Sequence, residues 1–416
     1  MCDIRQRFET PAVENIAATV RDQLQRLNLP DQIAVGDTVA VTAGSRGIAN
    51  IPVVICECVR YLKSIGAKPF IVPAMGSHGG GTVEGQLEVL RGLGITEETI
   101  ETEIRATMDT VVVAETEFGI PVHFDRFAHE ADHVLVVNRV KPHTRFVGPI
   151  ESGLHKMLLI GLGKHHGAKL YHAGILSHSF TEIIDAVAAQ VLQSCRVVGG
   201  LALLENARDE TAIIEAVAPS EFATREPELL KKACEWLPTL PFADVDLLIV
   251  DRIGKNISGV GMDANVIGRK FNDHVSTPED IARCLRIMVR SLTPETHGNA
   301  TGIGIAEFTT QSCVDQIDHA KTLVNCVTSN HVEVGMIPLT LPTDADAVEK
   351  ALQTIGMVQP ADAKVLQISD TLHMTRTRVS EAYFPLVDAS DQLEFIGAPF
   401  EFPVDSDGRL TDVVID

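Results

Sequence analysis

The chain has 416 residues, of which 45% are apolar and 22% charged, a composition typical of a folded protein rather than a disordered one. Its 35 Lys and Arg against 56 Asp and Glu give a formal net charge of −21, which disfavours nucleic acid and anionic membranes as partners. A small anionic substrate is still allowed, because a local Arg or Lys pocket can override the mean charge. At about 150 residues per domain, the length indicates two or three domains.

The first residues are charged and lack the apolar stretch of a signal peptide, and no run of about 18 apolar residues predicts a membrane span. The eight cysteines show no disulfide framework or metal-ligand spacing. We therefore expect a cytoplasmic protein in which all eight cysteines are reduced and serve packing.

Apolar strands alternate with helical patterns along the chain, which is typical of mostly parallel sheets covered by helices on both faces. The predicted strands are residues 38–42, 68–75, 133–137 and 245–250. The predicted helices are residues 52–65, 82–93, 180–192, 278–289 and 345–355. The sequence thus predicts an α/β protein.

Four prolines between residues 219 and 241 bracket one helical stretch, and we interpret this segment as a domain connection. The predicted domains are an N-terminal domain over residues 1–240 and a C-terminal α/β domain over residues 241–371. The tail, residues 372–416, is expected to return to the first domain.

Side chains suited to chemistry follow three of the predicted strands. Ser45 and Arg46 follow the first, His78 lies in a Gly-rich turn after the second, and Lys141 and His143 follow the third. Ligands bind beyond the carboxyl ends of strands in open α/β sheets. A guanidinium matches a carboxylate, and imidazoles titrate near neutrality. The alternative is an ordinary surface with a solvated arginine and hydrogen-bonded loop histidines.

The next segment, residues 148–172, combines glycines, histidines and a lysine. Its G-x-G-x-x-x-G run from Gly161 to Gly167 lacks the spacing of a dinucleotide fingerprint. Lys156 precedes an apolar run, and a lysine entering apolar surroundings loses proton affinity and becomes a usable nucleophile. The alternative for Lys156 is extension to solvent. The dense histidines indicate either a metal site or a polar helix surface.

Taken together, these motifs resemble the nickel-pincer-dependent lactate racemase family. The resemblance lies in Ser45-Arg46, Gly76-Ser77-His78, Lys141-Pro142-His143, Ser152-Gly153-Leu154-His155-Lys156, His172 and, later, Gly259-Val-Gly-Met-Asp263-Ala-Asn265. It implies two α/β domains with mostly parallel sheets and an active-site cleft between them. It also implies an isomerase that inverts a 2-hydroxy acid by hydride transfer through a 2-keto acid.

The resemblance implies a nickel-pincer nucleotide held covalently at Lys156, with Gly76 and Gly153 beside it. His172 matches the axial nickel ligand, and His165 and His166 are rival candidates. Proteins that make the cofactor and insert nickel are implied as partners, together with the small-molecule substrate. The oligomeric state is left open.

The same resemblance assigns acid/base roles to His78 and His143. The implied substrate-binding residues are Arg46, Ser45, Lys141, Arg269 and Lys270.

The sequence departs from the family pattern around the substrate, where Ala43 and Gly47 flank the Ser-Arg pair and glycines follow His78. We therefore expect racemisation or C2-epimerisation of a 2-hydroxy acid other than, or larger than, lactate. Two alternatives remain: a nicotinamide-dependent 2-hydroxy acid dehydrogenase, and a non-catalytic metal or small-molecule binding protein on the same scaffold.

Overall fold

The computed structural model describes residues 1–415, which form two compact units. One unit comprises residues 10–237, and the other comprises residues 1–9 together with residues 238–416. The tail therefore lies in the second unit, where the sequence had suggested a return to the first. Residues 1–9 belong to this same unit, although residues 10–237 of the other unit follow them in the sequence. Within the described residues, no helix is long and apolar enough to cross a membrane.

Strands and helices are numbered here in chain order. The strands within residues 1–415 are β1 (Cys2–Gln6), β2 (Thr38–Ala43), β3 (Lys68–Pro73), β4 (Thr110–Glu115), β5 (Pro121–Asp125), β6 (His133–Arg139), β7 (Val197–Glu205), β8 (Thr211–Val217), β9 (Asp244–Ile253), β10 (Arg283–Leu292), β11 (Phe308–Thr310), β12 (Leu339–Leu341), β13 (Val365–Ile368), β14 (Arg376–Val379) and β15 (Leu393–Ile396). The α-helices of the same range are α1 (Ile16–Arg26), α2 (Ile51–Ser64), α3 (Val83–Gly92), α4 (Glu97–Ile100), α5 (Arg126–Glu130), α6 (Gly153–Lys156), α7 (Lys164–Gly174), α8 (Phe180–Ser194), α9 (Phe222–Glu235), α10 (Ala264–Ile267), α11 (Gln311–Val314), α12 (His319–Thr328), α13 (Asp344–Leu352) and α14 (Phe384–Asp388).

The unit of residues 10–237 is built on a five-stranded sheet in the order β3-β2-β6-β7-β8. The first four strands are parallel, and β8 pairs antiparallel with β7. Separate apolar cores pack on its two faces, which explains why its strands are near-continuous apolar runs such as Val39–Ala43. The α/β prediction is confirmed here.

The other unit contains an eight-stranded sheet in the order β12-β11-β10-β9-β13-β14-β1-β15. The five strands β12, β11, β10, β9 and β13 pair in parallel. Strand β14 pairs antiparallel with β13 and with β1, and β1 pairs antiparallel with β15. The N-terminal strand β1 lies between β14 and β15, so it completes this sheet.

The helix predicted over residues 278–289 is wrong, because β10 (Arg283–Leu292) occupies this region and pairs in parallel with β9. Pro278, followed by Glu279 and Asp280, has the composition of a helix start, which explains the error. The apolar run after it is buried as a central strand.

Seven of the eight cysteines are buried thiols, as expected for packing residues. Cys234, near the end of α9, is exposed, so the prediction that all eight serve packing is wrong at this position.

A buried charge network holds the C-terminal tail against the eight-stranded sheet. The Arg290 guanidinium donates to Asp251 at 2.6 Å, to Asp344 at 2.7 Å and to Asp412 at 2.8 Å. The Asp251 carboxylate also accepts from the Val413 amide at 2.7 Å. Removing the cation would leave carboxylates buried without compensation, which is costly.

We expect Arg290→Met to lower the free energy of unfolding by about 3–5 kcal/mol, because it strands buried carboxylates. The matched control is Arg283→Met, which removes the exposed ion pair with Asp244 and should cost about 0–1 kcal/mol. Urea denaturation measures both values. Equal losses in the two variants would contradict a structural role for the Arg290 network.

Candidate functional site

Three adjacent parallel strands bring their following loops to one edge of the five-stranded sheet. Strand β2 lies between β3 and β6, so the loops after all three strands emerge on the same side. The structure joins two of these loops directly, since the Ser45 hydroxyl lies 2.8 Å from Nδ1 of His78. Arg46 and His78 are both exposed at this edge.

The loop after β6 is closed by its own hydrogen bonds. The Ser152 hydroxyl accepts from the Lys141 amide at 2.7 Å and donates to the Lys141 carbonyl at 2.6 Å. The Glu151 carboxylate accepts from the His143 amide at 2.7 Å. These bonds fix the backbone on which Lys141 and His143 are carried.

The His143 ring is held by its neighbours. Its Nδ1 accepts from the amides of Arg145 and Phe146, each at 3.1 Å. The ring also stacks on Phe146 with centroids 4.3 Å apart, and Phe146 stacks in turn on Phe180 at 4.0 Å. The orientation of this imidazole is therefore set before any ligand binds.

Lys156 ends the short helix α6 and is followed by a π-helical turn, Met157–Gly161. Its ammonium nitrogen lies 5.5 Å from the centre of the Phe146 ring. The pKa of Lys156 is lowered to about 7, chiefly by burial and also by the nearby charges of Arg46 and Lys141, against the opposing effect of Glu151. A substantial fraction of this amine is therefore neutral at physiological pH.

His172 lies on α7, with its ring 6.0 Å from that of Phe146. Burial lowers its pKa to about 4, and the positive charges of Lys156 and Arg145 act in the same direction. The imidazole is thus neutral at pH 7, the state in which a histidine binds a metal.

His165 and His166, the two alternative candidates for the nickel ligand, have other neighbours than His172 has. His165 lies against the turn at Gly81, and His166 stacks on His123 with ring centroids 5.9 Å apart. No group of three or more His, Cys, Asp or Glu side chains within residues 1–415 is arranged to hold a metal ion.

The two glycines predicted to lie beside the cofactor have packing reasons of their own. A Cβ at Gly76 would lie 2.9 Å from the Cβ of Ala168, so glycine lets this loop approach α7. Gly153 has φ +76°, and a Cβ there would collide with the Glu226 carboxylate. The cofactor contacts of both glycines remain predictions.

Arg269 and Lys270 belong to the other unit. The Arg269 side chain is fully buried, donating to the Ser276 hydroxyl at 2.6 Å and lying 3.4 Å from the Glu307 carboxylate. This guanidinium therefore stabilises its own loop, and the substrate contact of Arg269 stays a prediction. For Lys270 the substrate contact stays a prediction; its backbone amide donates to Asp280 at 3.1 Å.

The sequence reading missed a buried lysine that links the loop after β3 to the start of α7. The ammonium of Lys164 donates to the Pro73 carbonyl and to the Gln86 side chain at 3.1 Å, and it lies 3.1 Å from Asp125. Gln86 also donates to the Met75 carbonyl at 3.0 Å. The only available signal was a lysine inside the Gly-rich run.

Comparisons with known proteins agree with this architecture. Residues 12–183 match the family model of the lactate racemase N-terminal domain. The solved lactate racemase apoprotein from Thermoanaerobacterium thermosaccharolyticum aligns over 88% of this chain and 94% of its own, with a TM-score of 0.52 and 14% sequence identity. No curated protein gave a significant match. Residues 12–183 are thus similar to the lactate racemase N-terminal domain, and the chain has the mixed α/β fold of that solved structure.

The shifted amine predicts unusual reactivity. In the cofactor-free full chain, Lys156 should be acetylated by acetic anhydride with a midpoint near its pKa of about 7, because only the neutral amine reacts. An ordinary lysine becomes reactive at about pH 10. Peptide mass spectrometry across pH measures this, with the exposed Lys169 as internal reference. A Lys156 profile that coincides with the Lys169 profile would contradict the shift.

Proposed function

We propose that this chain is an isomerase that racemises or epimerises a 2-hydroxy acid with a nickel-pincer nucleotide bound at Lys156. The observation that carries the proposal is the amine of Lys156, kept partly neutral where the Arg46, His78 and His143 loops converge. A lactate racemase N-terminal domain over residues 12–183 supports the same class of reaction.

The side chains present fit this cofactor chemically. A neutral amine could attack an activated carboxyl group of the cofactor and form an amide-type bond as the leaving group departs with the amine proton, whereas a protonated lysine could not. The neutral His172 imidazole offers a lone pair to nickel, and the remaining ligands would come from the cofactor. When bound, such a cofactor would supply a hydride acceptor for the C2 hydrogen.

The chain's own residues would bind the substrate and move its hydroxyl proton. Arg46 presents a planar fork to the substrate carboxylate. One of His78 and His143 removes the hydroxyl proton as the 2-keto acid forms, and the other protonates the oxygen after the keto acid has turned over. Ser45 orients the His78 ring through its 2.8 Å contact with Nδ1.

The surroundings of Arg46 favour a substrate other than lactate. Gly47 is exposed with open space around it, and Lys141 adds a second cation to this edge. A 2-hydroxy acid with a larger or more polar substituent fits this composition.

Neither alternative function has a specific observation in its favour. The Gly161–Gly167 run lies in the π-helical turn and the start of α7, not in the strand-to-helix turn of a nicotinamide-binding site. A non-catalytic binding protein would not require both histidines at the same sheet edge as Arg46.

Full-length protein produced beside the proteins that make the cofactor and insert nickel should contain nickel and carry a mass adduct on Lys156. Lys156→Ala should lose the adduct, because no other side chain replaces the amine, whereas Lys169→Ala should keep it. Elemental analysis and peptide mass spectrometry give both readouts. An adduct retained in Lys156→Ala would refute the attachment site.

Replacement of either acid/base histidine should separate chemistry from cofactor loading. His78→Gln and His143→Gln should each lower inversion of the best substrate by about 10²–10⁴-fold, the contribution of general acid–base catalysis, while keeping the adduct. The exposed His129→Gln is the matched control. Chiral chromatography over a panel of 2-hydroxy acids measures inversion, and an active double variant would remove both residues from the mechanism.

A further inference from the structure

The helix that carries Lys156 begins without the usual side-chain cap. Ser152 precedes α6, but it makes no capping hydrogen bond, since its hydroxyl is engaged by the backbone of Lys141. Helix α6 spans only Gly153–Lys156 before the π-helical turn, so few hydrogen bonds of its own fix its direction. The first amides of such a helix need acceptors from elsewhere.

A carboxylate from a distant helix supplies these acceptors. Glu226, on α9, accepts from the Leu154 amide and from the His155 amide at 3.0 Å, and its Oε2 also bonds Nδ1 of the His155 ring. The two side chains are almost fully buried, with 4% of His155 and 1% of Glu226 exposed. A buried carboxylate with three partners is a fixed anchor rather than a solvated surface group.

The chain makes room for this anchor at Gly153. Its left-handed backbone, φ +76°, aims the following amides at Glu226, and the missing Cβ leaves the space that the carboxylate occupies. Gly153, which the family resemblance places beside the cofactor, thus also makes room for the Glu226 carboxylate.

We propose that Glu226 is a positioning residue for Lys156: through the Leu154 and His155 amides it sets where the amine is presented to the site. The charged groups coupled to the Lys156 ammonium are Arg46, Lys141 and Glu151, so Glu226 acts through the backbone and not as a counter-ion. Its relevance to cofactor attachment rests on the proposed function, whereas its effect on the amine can be measured without the cofactor.

The test compares Glu226→Met and Glu226→Gln with the control Glu228→Gln in the full chain. Methionine fills a similar volume but accepts no amide hydrogen bond, whereas glutamine keeps one acceptor oxygen. Glu228 lies on the same helix, largely exposed and paired with Arg225. The readouts are the pH profile of Lys156 acetylation without cofactor, the extent of cofactor loading, and thermal unfolding.

We expect Glu226→Met to raise the midpoint pH of Lys156 acetylation by about one unit, because the released helix lets the amine reach solvent. Cofactor loading should fall about tenfold, as for loss of other residues that orient a ligand. Glu226→Gln should raise the acetylation midpoint and lower the cofactor loading by smaller amounts. Glu228→Gln should match the wild type in both measurements.

A lower unfolding temperature with an unchanged Lys156 profile in both Glu226 variants would overturn the proposal and leave Glu226 a structural link to α9. If Glu226→Met does not fold, Glu226→Gln decides alone, and a wild-type profile there overturns the proposal. If the Glu226 variants shift the Lys156 acetylation profile but the wild-type chain never takes up the cofactor, the proposed function is refuted and the positioning role of Glu226 stands.

Discussion

Parallel pairing of β3, β2 and β6 is the constraint on which the site depends. These strands are buried on both faces, so they carry apolar side chains and leave polar chemistry to the loops that follow them. Because the three strands are parallel neighbours, those loops emerge at one edge of the sheet. The Ser45–His78 contact shows the consequence, since residues far apart in sequence meet through sheet geometry.

The electrostatics of the site oppose those of the whole chain. A protein with a net charge of −21 places Arg46, Lys141 and Arg145 around Lys156 and His172. Burial and the neighbouring positive charges lower both pKa values, so that at pH 7 the lysine is partly neutral and the histidine is neutral. An anion bound beside them would relieve this repulsion and raise both pKa values again.

The sequence predicted strands and candidate site residues where these depend on local sequence patterns. Apolar runs predicted the strands at residues 38–42, 68–75 and 133–137, and the polar residues after them predicted the sheet edge. It failed at β10, where a helix-like start precedes an apolar strand. It also could not predict that Glu226 accepts from the Leu154 and His155 amides, because these contacts join residues some 70 positions apart and no local spacing encodes them. Arg269 shows the same limit, since its burial and its contact with Glu307 are not encoded in the local sequence.

We propose that the histidines would handle only the hydroxyl proton, while the C2 hydrogen would travel as a hydride without exchange with water. Inversion of a 2-hydroxy acid in D2O, followed by mass spectrometry of the newly formed enantiomer, tests this most directly. The account predicts that the product retains protium at C2. Deuterium at C2 in step with inversion would show proton abstraction from carbon and would contradict it.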